Sequence, residues 1–377
     1  MPSTRSSTPA RTTGRVPQSR ALPTALVYLA ALIGGALFAA LQVPLAWMIG
    51  ALVFSAGAQL AGLEARPPRG ARMFGQVVVG TAVGLYFTPA ALTQVSAHLT
   101  AMLVAAFLTI AIGAVSAVLM RRLAGLDTTT AFFACVPGGP VEMALMAERA
   151  GAQSAPVALA QTVRIAALVL IIPPAITYSG IGGVADPAHF AGEVVGVELI
   201  GLAAAAVAVA HALRLARVPN PWFLGPVAAG AAMAVTETTS TTVPFVLIAA
   251  GQVCLGTALG TQFDRAFVRR VRHFLKGIAA CTAFLMVTCA AMGVAIAAVS
   301  DLPVAAMILA TAPGSLTEMC LTAKALDLSV AMVTAFHLVR LFIVVPLTPL
   351  LFDALRRWWP ALVEDGPPAL PTDPGKG

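Results

Sequence analysis

Charge is what this chain has least of. Only 10% of its 377 residues are Asp, Glu, Lys or Arg, against 59% hydrophobic residues and a mean hydropathy of +0.89. So few charges cannot cover a soluble globule of this length, so lipid is the expected solvent. Histidine and cysteine are sparse as well. The five histidines, His98, His189, His211, His273 and His337, are scattered and lack the ligand clustering that a copper or iron oxygenase needs. The five cysteines, Cys135, Cys254, Cys281, Cys289 and Cys320, lie in or beside apolar stretches with no metal-type spacing. They read as small hydrophobic filler, with no disulfide framework. A G-x-S-x-G elbow, an H-E-x-x-H pair and a Walker loop are all missing, which argues against an enzyme, a metal or a cofactor. The net charge of +7 invites a nucleic-acid reading, but the arginines fall in short clusters between apolar runs without interleaved aromatics. That pattern belongs to cytoplasmic loops, and no nucleic-acid partner is expected.

What is present is a series of long apolar runs, near 22–40, 44–62, 73–92, 98–120, 154–178, 194–213, 220–236, 243–263, 275–299 and 328–353. Each has about the 17–25 residues that carry a helix across a bilayer core, predicting ten crossings. Residues 1–20 are Ser, Thr, Pro and Arg with no acid, and 362–377 are rich in Pro and Gly, so both read as loose tails too short to serve as an output domain. Arg15 and Arg20 before an apolar stretch also fit a cleaved signal peptide. The stretch is too long for one, and it has a counterpart later in the chain.

That counterpart is part of a duplication. Pro137–Met143 reads PGGPVEM and Pro313–Met319 reads PGSLTEM, 176 residues apart. Gly75–Gly84 (GQVVVGTAVG) matches Gly251–Gly260 (GQVCLGTALG), and Val43–Gly50 (VPLAWMIG) matches Val218–Gly225 (VPNPWFLG). Each motif glutamate is followed 22 residues later by an arginine, Glu142 by Arg164 and Glu318 by Arg340, with Gln161 and His337 in equivalent places. Order and spacing agree over much of each half, giving two membrane repeats at 21–180 and 193–355.

Basic clusters at Arg5–Arg20, Arg66–Arg72, Arg121–Arg122, Arg214–Arg217, Arg265–Lys276 and Arg356–Arg357 are expected to face the cytoplasm, with both termini. The loops around 179–193, 237–242 and 300–303 carry acids, His189 apart, and should face out. From Arg122 inside to Asp186 outside the number of crossings must be odd, yet two apolar pieces intervene. One of them, the PGGP segment, therefore enters and leaves by one side, about nine residues in and ten out, each ~14 Å long. The same parity makes 303–325 a second hairpin, from the opposite face. The fold class is thus an all-α polytopic membrane protein of two inverted-topology repeats, each of about five transmembrane helices plus one re-entrant or broken hairpin.

Irregular backbone at membrane depth lines a cavity or is buried in protein, so a site is expected at the hairpin tips. Its candidate substrate- or ion-binding residues are Pro137, Gly138, Gly139, Glu142 and Arg164 in the first half, Pro313, Gly314, Ser315, Glu318 and Arg340 in the second, with Gln76, Gln252, Gln161 and His337 beside them. Gly139 would be an N-cap and Pro140 the first helical residue, aiming amides and a helix dipole at an anion. The glutamates could bind a cation or carry a proton. Structural readings stand beside each role. Ser315 to Glu318 is a capping box; the Glu–Arg couples can be ion pairs; Gln76 and Gln252 can be interhelical glue, the repeated glycines close-packing devices, and Trp47 and Trp222 interface anchors.

The duplicated P-G-x-x-x-E-M, G-Q-x-x-x-G-T-A-x-G and P-x-x-W-x-x-G elements resemble the AbrB family of bacterial inner-membrane proteins over 22–353. Members of that family carry the labels ammonia monooxygenase or regulator of gene expression, and its name is shared with an unrelated soluble DNA-binding regulator. The architecture is similar to elevator-type secondary transporters, an analogy at the level of fold alone. The expectation is an inner-membrane transporter of a small, preferably acidic, metabolite, with the lipid bilayer and copies of itself as its other partners. The alternative is a membrane-located regulator or sensor, and the oxygenase label is disfavoured.

Overall fold

The computed structural model describes residues 21–181 and 194–358, so the expectations for both tails and for the loop at 182–193 lie outside the described residues. Those described form sixteen helices and no strand. The first eight are α1 (Ala21–Ala40), α2 (Ala46–Ala61), α3 (Arg69–Gly84), α4 (Pro89–Ala97), α5 (Leu99–Ala124), α6 (Thr128–Cys135), α7 (Pro140–Arg149) and α8 (Ser154–Tyr178). The second eight are α9 (Gly196–Leu215), α10 (Pro221–Val235), α11 (Phe245–Gly260), α12 (Arg265–Val271), α13 (Leu275–Ser300), α14 (Val304–Thr311), α15 (Leu316–Ala325) and α16 (Val330–Trp358). Each of α9–α16 begins 175 or 176 residues after the helix eight places before it.

Six helices, α1, α5, α8, α9, α13 and α16, are long and apolar enough to cross a membrane, where ten crossings were expected. The shortfall has local causes. α2, α10 and α11 have 15 or 16 residues, below the ~20 that span a bilayer core. α2 is stopped by Gly62 at φ 107°, whose amide bonds back to the carbonyls of Ala58 and Gln59. The run at 73–92 breaks after Gly84, and α4 turns 88° from α3. Thr88 caps α4, its Oγ1 accepting from the Ala91 amide at 3.3 Å, with Pro89 in the first helical position.

The interior is built by close backbone approach. α1 packs on α2 and α9 on α10, while α2 crosses α11, α10 crosses α3, and α3 meets α11. A Cβ on Gly75 would lie 2.8 Å from the Gly251 carbonyl oxygen, and one on Gly80 2.7 Å from that of Phe223. At the positions matching Gly80 and Gly84, Gly256 abuts the Met48 carbonyl and Gly260 that of Leu52. Small residues let helices approach without relying on a hydrophobic drive, which lipid does not supply. Around this crossing a buried core links α2, α3, α10 and α11 to α14, α15 and α16. A second core gathers α5–α8 with α13 and holds Phe132, Phe133 and Phe352 with ring centroids 5.3–5.7 Å apart.

The spacing of 175 or 176 extends to single backbone angles. Left-handed residues occur at Gln42 and Arg217, Leu45 and Asn220, Gly62 and Glu237, Gly125 and Asp301, and Gly151 and Asp327. Such angles cost side-chain-bearing residues energy, so they mark the connections closely.

Candidate functional site

Both Pro-Gly motifs interrupt a helix. α6 starts behind the N-cap Asp127, whose carboxylate accepts from the Thr130 amide at 2.8 Å and the Thr130 hydroxyl at 2.6 Å. It ends at Cys135, the chain runs extended through Val136, and α7 starts at Pro140 behind the N-cap Gly139, as the motif predicts. Likewise α14 ends at Thr311, Ala312 is extended, and α15 starts behind Ser315. At ~1.5 Å per residue none of these half-helices could cross a bilayer alone.

A broken helix leaves carbonyls without partners and a negative dipole end. In the first half Gln161 on α8 donates Nε2 to the carbonyls of Phe133 at 3.0 Å, Ala134 at 3.4 Å and Val136 at 2.9 Å. Arg164 donates to the Cys135 carbonyl at 3.3 Å and also to Gln161 Oε1. In the second half Arg340 on α16 reaches the carbonyls of Ala312 at 2.5 Å and Gly314 at 2.7 Å. These arginines are 3% and 9% exposed, so their charges are matched by carbonyl dipoles in the protein interior. The two guanidinium groups are within electrostatic reach of one another, with Cys289 near both. Each arginine thus holds the break of its own half.

The glutamates behave otherwise. No ion pair joins Glu142 to Arg164 or Glu318 to Arg340, so the ion-pair reading of these couples is corrected: the breaks compete for the guanidinium donors and hold them. Glu142 is half-buried and folds its carboxylate over Gly139, filling the space a side chain there would need. Ser315 makes no side-chain cap bond, so the expected capping box is not formed. Glu318 is 8% exposed and its Oε2 has no hydrogen-bond partner. His337 is buried, and neither ring nitrogen meets a partner at hydrogen-bond geometry, although the Ala310 backbone lies near it. Gln76 donates to Asn220 Oδ1 at 2.9 Å, tying α3 to the start of α10, which is the interhelical role. Gln252 is buried with an unpartnered Oε1. Pro137, Gly138 and Pro313 lie within the breaks themselves, and Gly138 carries the Met143 side chain against it. Trp47 and Trp222 are half-buried, Trp222 edge-on to His211 at 5.0 Å.

The halves differ in enclosure. All ten residues of α15 are buried, whereas α7 buries only Met143 and Ala147 and leaves Val141 70% exposed. The outgoing arm is covered in the second hairpin and uncovered in the first, while the incoming arms α6 and α14 are both buried. Beyond α15 lies a cavity of about 500 Å³ whose wall combines apolar residues such as Leu85 and Val243 with Tyr86, Glu237, Lys324, Thr88 and the hydroxyl-bearing residues 239–242. Lys324 Nζ donates to Tyr86 Oη at 3.0 Å and sits 4.6 Å from the ring centre. The sequence reading passed over Lys324, although a lysine six residues after Glu318 in an apolar hairpin was the available signal. Among the described residues no three of His, Cys, Asp and Glu gather closely enough to hold a metal ion.

The family model described as "Transition state regulatory protein AbrB" matches residues 47–356. A protein of Escherichia coli (strain K12), provisionally named as the regulator AbrB, is 24% identical over 311 residues, covering 81% of this chain and 88% of its own. The "Uncharacterized protein YhjN" of Bacillus subtilis (strain 168) is 26% identical over 355 residues, covering 86% and 90%.

Proposed function

The chain belongs to the AbrB family, and from that premise we propose that it is a secondary transporter of a small metabolite, built from two inverted repeats, with its site between the two helix breaks. One observation carries the reading. Each repeat has a helix interrupted at an equivalent Pro-Gly motif, its carbonyl end stabilised by a buried arginine, while Glu318 remains buried with an unpartnered oxygen. A buried carboxylate without a partner costs several kcal/mol unless it takes up a proton or a cation, so it is suited to a coupling ion.

The paired left-handed residues, the shared spacing of all eight helices and the α3–α11 and α5–α13 contacts support a two-fold relation between the halves. Inverted repeats in such transporters rock about a fixed site near the midplane. The covered α15 and the half-exposed α7 fit one end of that motion, with exchange of the two environments giving the other. In this reading the protein lies in the inner membrane with cytoplasmic termini, performs no chemistry on its substrate and uses the exposed leucines of α1 against lipid. Flux into proteoliposomes, compared among the native chain, Glu142→Gln and Glu318→Gln, tests it; unchanged flux in both variants removes the coupling role.

A second reading is favoured by the names of the family model and of the E. coli relative, which describe regulators. A membrane sensor of this kind would alter gene expression without moving a metabolite through Glu142 or Glu318. A regulatory phenotype that persists in both glutamine variants, with no flux of any metabolite, would select it.

A further inference from the structure

The two halves also part company at the loops that follow α2 and α10. At the C-terminal end of α2, Arg265 donates Nε to the Leu60 carbonyl at 2.8 Å and Nη2 to that of Ala61 at 2.9 Å. Gln59 pins the following loop through the Ala65 carbonyl at 2.6 Å. The matching end of α10, 175 residues on, has Pro89 where Arg265 would stand, and its following residues open onto the 500 Å³ cavity. That volume falls within the range of small-molecule sites, about 300–1,000 Å³.

The walls are also changed in kind. Lys324 stands where the first half has Glu148, Tyr86 where the second has Gln262, and the hydroxyl run Thr239, Ser240, Thr241, Thr242 where the first half has Glu64, Ala65, Arg66 and Pro67. The run is held in shape by Glu198, whose Oε2 accepts from Thr239 Oγ1 at 2.8 Å, the Ser240 amide at 3.0 Å and the Thr241 amide at 3.2 Å. Lys324 is only 7% exposed, yet its ammonium is grouped with the Tyr86 hydroxyl at the cavity wall, within reach of the Asp327 charge.

From these the geometry points to a binding site for a small carboxylate in this cavity, with Lys324 and Tyr86 receiving the carboxylate and the hydroxyls around Ser240 receiving its other polar groups. An ammonium beside a phenol hydroxyl presents two donors that one carboxylate can accept together, and such charge-assisted bonds are the stronger class. The site names the substrate class and the point of access for the transport reading, on which it rests, since Lys324 lies on the same hairpin helix as Glu318.

The test is calorimetric titration of the full chain in detergent with lactate, succinate and glutarate, each beside its uncharged amide. The expected result is saturable binding of at least one carboxylate, none of its amide, and an affinity loss of at least about tenfold in Lys324→Met. Tyr86→Phe, which removes one oxygen from a partly buried ring, is expected to weaken the same ligand severalfold and serves if Lys324→Met does not fold. Failure of every carboxylate to bind, equal binding of an amide, or native affinity in Tyr86→Phe and in folded Lys324→Met would overturn the site. Binding without flux would remove the transport reading alone, and flux with binding indifferent to both variants would remove this site alone.

Discussion

Whether the arginines serve the breaks or the glutamates is decided by a double-mutant cycle at Arg340 and Glu318. Arg340→Met deletes two charge-assisted hydrogen bonds, to Ala312 and Gly314, in a buried setting. At about 1.5–3 kcal/mol for each such bond, the expected loss is about 3–6 kcal/mol of unfolding free energy. Glu318→Gln keeps the volume and removes a charge whose Oε2 has no partner, so it is expected to stay within about 1 kcal/mol of the native chain or to gain. The two changes should therefore add, with a coupling energy below about 0.5 kcal/mol. Urea unfolding of the four proteins in one detergent, followed by circular dichroism, supplies the numbers. An ion pair would instead make Glu318→Gln cost about 3–5 kcal/mol and couple strongly to Arg340→Met. A coupling energy above about 2 kcal/mol refutes the assignment of Arg340 to the break.

Gln161→Leu strips the donor from the Phe133 and Val136 carbonyls and is expected to cost about 2–4 kcal/mol, read in the same unfolding assay. Gly80→Ala drives a methyl against the Phe223 carbonyl and should lose about 1–3 kcal/mol, while Gly57→Ala, which meets no atom within 4 Å, should be neutral or gain up to about 1 kcal/mol; equal effects would contradict the close-approach account. For topology, a cysteine in place of Ala150 is expected to react with an impermeant maleimide from the cytoplasm and one in place of Ser329 from outside. Ser329 is exposed in the turn between α15 and α16, and labelling of both from one side would contradict the inverted repeats.

The breaks were legible because proline and glycine act through backbone terms that need no tertiary context. Gly139 as N-cap, Pro140 as first helical residue and the half-helix lengths followed from the motif itself. Partners were less legible. The 22-residue spacing puts each arginine on the helix after the hairpin, but which acceptor it meets depends on how that helix packs, and the broken ends of α6 and α14 proved the nearer demand. Ser315 shows the same limit, since a capping-box pattern offers a bond that the side chain need not make. Apolar composition continues through the turn at Gly84 to Pro89, where the helix bends by 88°, and hydropathy does not register a bend. Lys324 was overlooked because its meaning lies in the cavity wall contributed by Tyr86 and the 239–242 loop, far away along the chain.

We propose transport of a small metabolite coupled through Glu318. The most direct measurement is uptake of a labelled carboxylate into proteoliposomes under an imposed proton or sodium gradient, with native protein and Glu318→Gln side by side. The account predicts gradient-driven accumulation by the native protein that collapses in Glu318→Gln while its folded stability is kept; no uptake by the native protein, or equal gradient-driven accumulation by both, would contradict it.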